Sequence, residues 1–393
     1  MQYKKGLFGF SADPITLGHL DVIQKSLLEC ETLVVLIANN PKKEAEYTFS
    51  LEERTVLTAA AIETLPQELQ SRITVISTPG LLVDVYLTEN CDVIVRGIRN
   101  SHDELFENEQ RSLYTIMLPA LSNRFLYIEA DAAYSAISSS WVKELVRSHV
   151  DVSALVPLNV KAALEFRLHE QKFIGITGPI ASGKTTAATT LVDRLKESLI
   201  DAHHIAIDDL VRTLYKEDSL GAQAVRNQII ARFGSAVAKD SDTTINTTEL
   251  TRALFSGNAE EIAKNRMFIE KLTAPHVMRL FRERIRGLSG MILVEWSDYL
   301  SQNLLPLVNN TVILLDTDLK TRERYATKRG LEETLFQTIN QTQKSAADMH
   351  DFITRSSTEY GYGRCIVMNP ETPIDEMVDR ILSIQSLPFT QSS

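Results

Sequence analysis

Short apolar runs alternate with longer stretches of helical period along this chain of 393 residues. In the first part, Leu7–Phe10, Leu33–Ala38, Ile73–Ser77, Val93–Val95 and Phe125–Ile128 read as strands. Between them, Leu20–Leu28, Leu51–Ile62, Leu82–Leu87 and Phe106–Leu121 read as helices. Strand–helix alternation predicts a parallel sheet with right-handed crossovers. A second series opens at Phe173–Ile176 and continues through Ile205–Ile207, Met291–Val294, Val312–Leu315 and Ile366–Met368. Long helical stretches separate these runs, above all within 247–288. The pattern therefore predicts two α/β domains, each built on a parallel sheet.

Pro157 is placed to start the last helix of the first domain, ending near Leu168. His169–Lys172 then reads as a short polar joint, and Ser386–Ser393 as a frayed tail. The expected division is 1–168, 172–386 and a tail at 387–393. A chain of this length calls for two domains in any case. Its 44% hydrophobic and 23% charged residues are those of a globular protein. A net charge of −10 argues against a nucleic-acid binder driven by phosphate neutralisation, but not against nucleotides held by local loops. Cys30, Cys91 and Cys365 are scattered without metal-ligand spacing and read as reduced thiols. No signal peptide precedes Phe8, and no apolar run approaches the roughly 20 residues that span a bilayer. A cytoplasmic protein with no membrane partner is the expectation.

The first candidate site follows the first strand. In Ser11-Ala12-Asp13-Pro14-Ile15-Thr16-Leu17-Gly18-His19, the Asp-Pro pair makes a turn and Gly18 lets the backbone approach closely. His19 then falls in the first helical turn, where free N–H groups and the helix dipole attract phosphate. An imidazole there can donate a hydrogen bond to phosphate oxygens as charge builds in a transition state. Taken alone, a histidine packing or capping in the turn explains this feature better. Lys42 and Lys43 follow the second strand, at the carboxyl edge where α/β sites sit, although a solvated lysine loop is the plainer reading. Arg96-Gly97-Ile98-Arg99 follows the fourth strand and offers two guanidinium groups suited to phosphates, or to ordinary surface ion pairs. Ser138, Ser139 and Ser140 stand at a predicted helix start; an N-cap accounts for one serine but not for three.

Together these segments resemble the nucleotidyltransferases with a T/HxGH motif, and among them phosphopantetheine adenylyltransferase. The resemblance covers about residues 5–168, and Phe49–Arg54 and Asp151–Val160 match as well. It implies transfer of the adenylyl group of ATP to 4′-phosphopantetheine, with release of pyrophosphate. By this resemblance His19 stabilises the transition state, and Ser11 and Lys42 hold the reacting phosphates. Arg96 meets the pantetheine phosphate and Arg99 the ATP phosphates. Ser138, Ser139 and Ser140 cradle the triphosphate beside Mg²⁺. The family's Gly-Thr-Phe is Phe10-Ser11-Ala12 here, its Asp-Phe-Glu-Tyr-Glu run is Asp103–Glu107, and its helix asparagine aligns with Tyr114. Stand-alone members form hexamers, so a homo-oligomer through the N-terminal domain is implied unless the fused domain blocks those contacts.

The second site is more specific. Gly178-Pro179-Ile180-Ala181-Ser182-Gly183-Lys184-Thr185 fits GxxxxGK[ST] in full, after a predicted strand and before a helical pattern at Thr186–Leu195. In such a loop backbone N–H groups ring the phosphates, the Lys184 position reaches the β/γ oxygens, and the Thr185 hydroxyl ligates Mg²⁺. Asp208 and Asp209 end the next strand, where one carboxylate can act as a base and the other as a helix N-cap. Arg322, Arg324, Lys328 and Arg329 share one predicted helix, either as a lid over phosphate or as a solvated basic face.

This half resembles dephospho-coenzyme A kinase over about 172–385, through the P-loop, Asp208/Arg212, Phe233-Gly234 and Leu250–Phe255. The resemblance implies phosphorylation of the ribose 3′-hydroxyl of dephospho-coenzyme A, with Asp208 as base and Arg212 near the substrate. Gly178, Ser182, Gly183, Thr185 and Thr186 would hold ATP, and Lys328 aligns with the lid arginine. The family's His-Pro reads Ala274-Pro275, and Glu295–Tyr299 replaces its Pro-Leu-Leu-Phe-Glu, with Glu295 able to stand in for the strand-end aspartate. The resulting expectation is a Rossmann-like nucleotidyltransferase domain followed by a P-loop kinase domain. The two would perform consecutive steps, as in a bifunctional coenzyme A synthase. Two alternatives stay open: a kinase half that only binds nucleotide, and an adenylyltransferase/ribosyl-nicotinamide kinase pair of NAD synthesis.

Overall fold

A computed structural model describes residues 2–39, 46–98, 110–239, 244–297 and 304–383. The chain divides into two compact units, the first formed chiefly by residues up to Leu168 and the second by those from His169 on. Each is an α/β unit around a five-stranded parallel sheet, with helices covering both faces.

In the first unit the strands are β1 (Tyr3–Phe10), β2 (Cys30–Ala38), β3 (Ile73–Thr78), β4 (Val93–Ile98) and β5 (Phe125–Glu129). Their order across the sheet is β3-β2-β1-β4-β5. Phe8 lies opposite Val35 on one side and Val95 on the other. Alternate residues point to opposite faces. Phe8, Val35 and Val95 meet helices α1 (Leu17–Glu29) and α2 (Leu51–Ile62), together with α4 (Ser139–Arg147) and α5 (Leu158–His169). Leu7, Val34, Leu36 and Ile94 face α3 (Leu82–Thr88) and Leu121. Burial on both faces is why these strands read as continuous apolar runs rather than alternating ones. The helix expected over Phe106–Leu121 is helical over residues 110–117 and then tightens into a 3₁₀ turn at Pro119–Asn123; its start lies outside the described residues.

The second unit contains β6 (Gln171–Thr177), β7 (Ala202–Ala206), β8 (Gly290–Glu295), β9 (Thr311–Leu315) and β10 (Arg364–Met368). Their order is β10-β9-β6-β8-β7. Helices α6 (Lys184–Glu197) and α14 (Ile374–Leu382) cover the face bearing Ile174, Ile176, Leu293 and Ile313. The opposite face carries α7 (Ile207–Leu214), α8 (Leu220–Phe233), α9 (Thr247–Leu254) and α10 (Ala259–Ile285). Helices α11 (Leu319–Lys328), α12 (Glu333–Thr342) and α13 (Ala346–Glu359) follow β9. The helical stretch expected within 247–288 is thus two helices. Asn258 separates them, accepting the backbone N–H of Glu261, whose carboxylate takes up the Asn258 N–H in return.

The polar joint expected at His169–Lys172 is corrected by the structure. Helix α5 runs to His169, Glu170 turns the chain at φ 56°, and the sheet begins at Gln171. Gln171 is buried, its amide donating to the carbonyls of Ile285 and Leu288 at 2.8 and 2.9 Å. Its polarity is satisfied inside the fold, which a reading of polar residues as solvated cannot anticipate. No helix among the described residues is long and apolar enough to cross a membrane. The expected tail lies outside the described residues.

Candidate active sites

β1 and β4 are neighbours although β2 follows β1 in sequence, so the sheet order switches between them. Crevices at such switch points, at the carboxyl ends of strands, are where α/β proteins bind ligands. The loop leaving β1 enters α1 through Thr16, which caps the helix. The Thr16 backbone N–H donates to His19 Nδ1 at 3.0 Å, and the Thr16 hydroxyl lies 2.9 Å from the same nitrogen. Because Nδ1 accepts a hydrogen bond from the backbone N–H, the ring's own proton sits on Nε2. The Phe10 ring stacks on the imidazole with centroids 4.5 Å apart, fixing its plane. Gly18 stands where a Cβ would come within 3.3 Å of Tyr134 Cβ, so the helix start packs closely there.

Arg96, half-buried on β4, donates to the Gly9 carbonyl of β1 at 3.2 Å, directly across the switch point. The three serines divide their tasks. Ser138 caps α4 by accepting the Trp141 N–H at 3.2 Å, Ser139 donates to the Pro14 carbonyl at 2.8 Å, and Ser140 is exposed in the first turn. The capping reading thus holds for one serine, and a second locks the helix start against the Asp13-Pro14 turn. Ser11 is half-buried beside this turn. Lys42 and Arg99, and the Asp103–Glu107 run, lie outside the described residues.

Two residues to which the sequence reading gave no role in the site hold this loop. The buried Asp13 carboxylate accepts the N–H groups of Thr48 and Phe49 at 3.0 and 3.1 Å, and the Lys143 ammonium at 2.7 Å. It ties the β1 loop to the start of α2 and to α4. Arg54, 1% exposed, donates to the carbonyls of Ser11 and Ala38 and to Asn39 Oδ1, and its guanidinium lies 4.1 Å over the Tyr47 ring. Desolvation by burial draws its pKa below the usual arginine value, yet the group remains charged near neutrality. The motif around Ser50 identifies the helix start, but nothing in its pattern says that the arginine points inward. Arg54→Ala removes one fork and orphans several carbonyls. It is expected to cost about 3 kcal/mol in urea unfolding, and to weaken adenylyl transfer in whatever fraction stays folded.

In the second unit the loop Gly178–Thr185 leaves β6, the central strand, and enters α6. A Cβ on Gly178 would lie 2.7 Å from the Leu315 carbonyl and from Ser182 Oγ, so only glycine fits. Gly183 takes φ 89° at the helix cap. The Ile180 N–H donates to Gln343 Oε1 at 2.8 Å, and the Thr317 hydroxyl donates to the Ser182 carbonyl at 2.9 Å. Ser182 itself is fully buried and its hydroxyl has no partner among the described residues, so this side chain packs under the loop. Thr186 is exposed in the first turn of α6.

The Lys184 ammonium donates to the carbonyls of Gly178 and Pro179 at 3.0 and 2.9 Å. Burial pushes its pKa down from 10.5 to about 8, against the attraction of Glu295 and Asp208. The cost of the buried ammonium is therefore present below pH 8 and is relieved as the pH rises from there towards 10.5. Phosphate oxygens beside the ammonium would reverse this shift. Nucleotide binding at pH 8.5 is expected to take up protons, with affinity falling as the pH rises further. Calorimetry in buffers of different ionisation enthalpy reads the uptake, which Lys184→Met should abolish.

Thr185 donates its hydroxyl proton to Glu295 Oε1 at 2.8 Å, and His204 Nε2 lies 2.9 Å from Glu295 Oε2. Burial raises the Glu295 carboxyl, but the hydrogen bonds from His204 and Thr185 outweigh it and leave the group below its usual value. Asp208 keeps solvent contact from within the cleft. Desolvation by the surrounding protein pushes its carboxyl up, opposed by the charge of Lys184. Neither aspartate is the expected N-cap. Ala206 holds that position, and Asp208 and Asp209 both stand in the first turn of α7. Asp208 nonetheless lines a cleft of about 730 Å³ together with Lys184, Thr185, Arg212, Glu295 and Arg329. Arg212 pairs with Asp209 at 2.6 Å on the rim. Lys328 is exposed and outside this lining, and Arg329 beside it is within. No cluster of three or more His, Cys, Asp or Glu side chains suited to a metal exists among the described residues.

Two nucleotide-handling α/β units, one with a histidine at a switch point and one with a P-loop, define a two-domain transferase. Comparison with known families agrees. Residues 7–145 match the cytidylyltransferase-like family and residues 172–354 match dephospho-CoA kinase. The chain thus carries a cytidylyltransferase-like domain in its N-terminal region and a dephospho-CoA kinase domain in its C-terminal region. This order is consistent with a fused coenzyme A synthase-like protein. Both families use ATP. Among solved structures, "Crystal structure of TT1252 from Thermus thermophilus" is 19% identical, covers 55% of this chain and 99% of its own, and superposes with a TM-score of 0.40. "Crystal structure of NadR protein in complex with NAD and AMP-PNP" is 12% identical over 97% of this chain and 96% of its own, with a TM-score of 0.32. These superpositions are too loose to bear on substrate.

Proposed function

We propose that the chain makes coenzyme A from 4′-phosphopantetheine in two ATP-dependent steps. The observation that carries this reading is the pairing, in one chain, of a switch-point histidine with a P-loop domain of the dephospho-CoA kinase family. In the first step the pantetheine phosphate attacks the α-phosphate of ATP, giving dephospho-coenzyme A and pyrophosphate. The attacking oxygen is already anionic, so no covalent enzyme intermediate is needed and positioning with electrostatics suffices. His19 offers Nε2–H to the oxygens that gain charge. Arg96 meets the pantetheine phosphate, Ser11 and Lys42 hold the reacting phosphates, and Arg99 with Ser138–Ser140 takes the ATP phosphates.

In the second step the ribose 3′-hydroxyl of dephospho-coenzyme A attacks the γ-phosphate of a second ATP, giving coenzyme A and releasing ADP. Asp208, whose carboxyl is raised by its surroundings, accepts the hydroxyl proton. Lys184 and the loop N–H groups take the β- and γ-phosphates, Gly178 and Gly183 allow that approach, and Arg212 and Arg329 face the same cleft. Thr185, a hard oxygen donor beside an ionised carboxylate, suits Mg²⁺, which when bound offsets phosphate charge. The test compares 4′-phosphopantetheine with nicotinamide mononucleotide as acceptors, following pyrophosphate release. Dephospho-coenzyme A is then offered with ATP, with Asp208→Ala as control. Preference for nicotinamide mononucleotide would transfer the chain to NAD metabolism, and no phosphorylation of dephospho-coenzyme A would leave the second domain a nucleotide binder.

A further inference from the structure

Glu295 is the last residue of β8, which lies between β6 and β7 in the sheet. It is 8% exposed, and both of its oxygens are engaged: Oε1 accepts the Thr185 hydroxyl at 2.8 Å and Oε2 faces His204 Nε2 at 2.9 Å. His204 sits on β7 directly opposite Leu293 of β8, two residues before Glu295. An ionised carboxylate can only accept hydrogen bonds, so His204 must donate from Nε2 whichever charge its ring carries. Thr185 in turn must give its one proton to Glu295, which leaves both hydroxyl lone pairs directed away from the carboxylate. This is the arrangement in which a P-loop hydroxyl can ligate a cation. Without His204, Oε2 would lose its partner and the carboxylate could rotate, leaving the Thr185 hydroxyl free to turn.

We propose that His204 is a positioning residue of the kinase site, acting through Glu295 to hold the Thr185 hydroxyl as a magnesium ligand. The inference rests on the kinase reading above. No sequence motif marks His204, and it touches neither nucleotide nor metal in this scheme. It differs from a purely structural role in acting on the metal requirement alone. Outer-shell partners of this kind alter metal affinity by roughly 10–100-fold when removed.

The test uses the full chain and a fluorescent ATP analogue, titrated first in EDTA and then with rising MgCl₂, beside thermal melts, the signal lost in Lys184→Met being the part that belongs to the kinase site. His204→Ala should bind metal-free nucleotide as the wild type does, and need about 10-fold more magnesium for half-maximal tightening. His204→Gln, whose amide can reach Glu295 from the Nε2 position, should restore the requirement to within about 3-fold. His204→Asn is too short to reach and should behave like His204→Ala; it also serves if the alanine variant folds poorly. His203→Gln, at the Asp201 side of the same strand, should leave the requirement unchanged. An unchanged magnesium requirement in both His204→Ala and His204→Asn would overturn the proposal. So would an equal loss of metal-free binding. If Lys184→Met bound the analogue as the wild type does, the kinase reading would fall instead.

Discussion

Lys184→Ala should lower phosphorylation of dephospho-coenzyme A by about 10²–10³-fold, the effect of removing one preorganised charge from a developing transition state. Pyrophosphate release from 4′-phosphopantetheine and ATP should be unchanged, because the adenylyl-transfer residues lie in the other compact unit. The reaction should then halt with dephospho-coenzyme A accumulating. Lys184→Arg is not a safe rescue. Lys184 is 8% exposed, its ammonium lies between two carbonyls of its own loop, and a planar guanidinium would not fit that space. Lys184→Ala should also gain stability near neutral pH, since it removes a buried ammonium whose pKa burial has drawn down to about 8. A higher melting temperature with a lost kinase step would mark Lys184 as a functional rather than a structural lysine.

The second large effect is expected at His19. His19→Ala should lower adenylyl transfer by about 10²–10³-fold while supplied dephospho-coenzyme A is still phosphorylated. His19→Asn separates orientation from donation. It retains a polar group in the first turn of α1 but cannot both accept the Thr16 amide and present a donor at the distance of Nε2. It should therefore fold with the cap disturbed and stay slow. Steady-state pyrophosphate release at saturating substrates reads kcat directly, and a loss confined to KM would contradict a role in the transition state.

What the sequence made legible follows from local rules. Both sheets appear as apolar runs because parallel strands are buried on both faces, and each predicted strand is present. The P-loop was legible because it needs one short motif between a strand and a helix, and Gly178 and Gly183 stand where only glycine fits. His19 was legible because the Asp13-Pro14 turn and Gly18 put it in the first turn of a helix directly after the first strand. Long-range partners were not legible. Gln171 reads as joint because its two carbonyl partners are more than 100 residues distant. The Arg54 contacts with Ser11, and the Asp13–Lys143 pair, depend on strand order rather than spacing. Asp208 was placed at a strand end, and the structure puts it in the first turn of α7, where it still reaches the cleft. Of the basic residues at the end of α11, Arg329 lines the cleft and Lys328 does not, a difference of one position that helical spacing alone does not decide.

The most direct test supplies 4′-phosphopantetheine with ATP labelled differently at its α- and γ-phosphates and separates the products. Two consecutive transfers in one chain predict a single end product carrying both labels, one in the new pyrophosphate bridge and one on the ribose 3′-oxygen. A product that kept only the α label, or no label transferred at all, would contradict it.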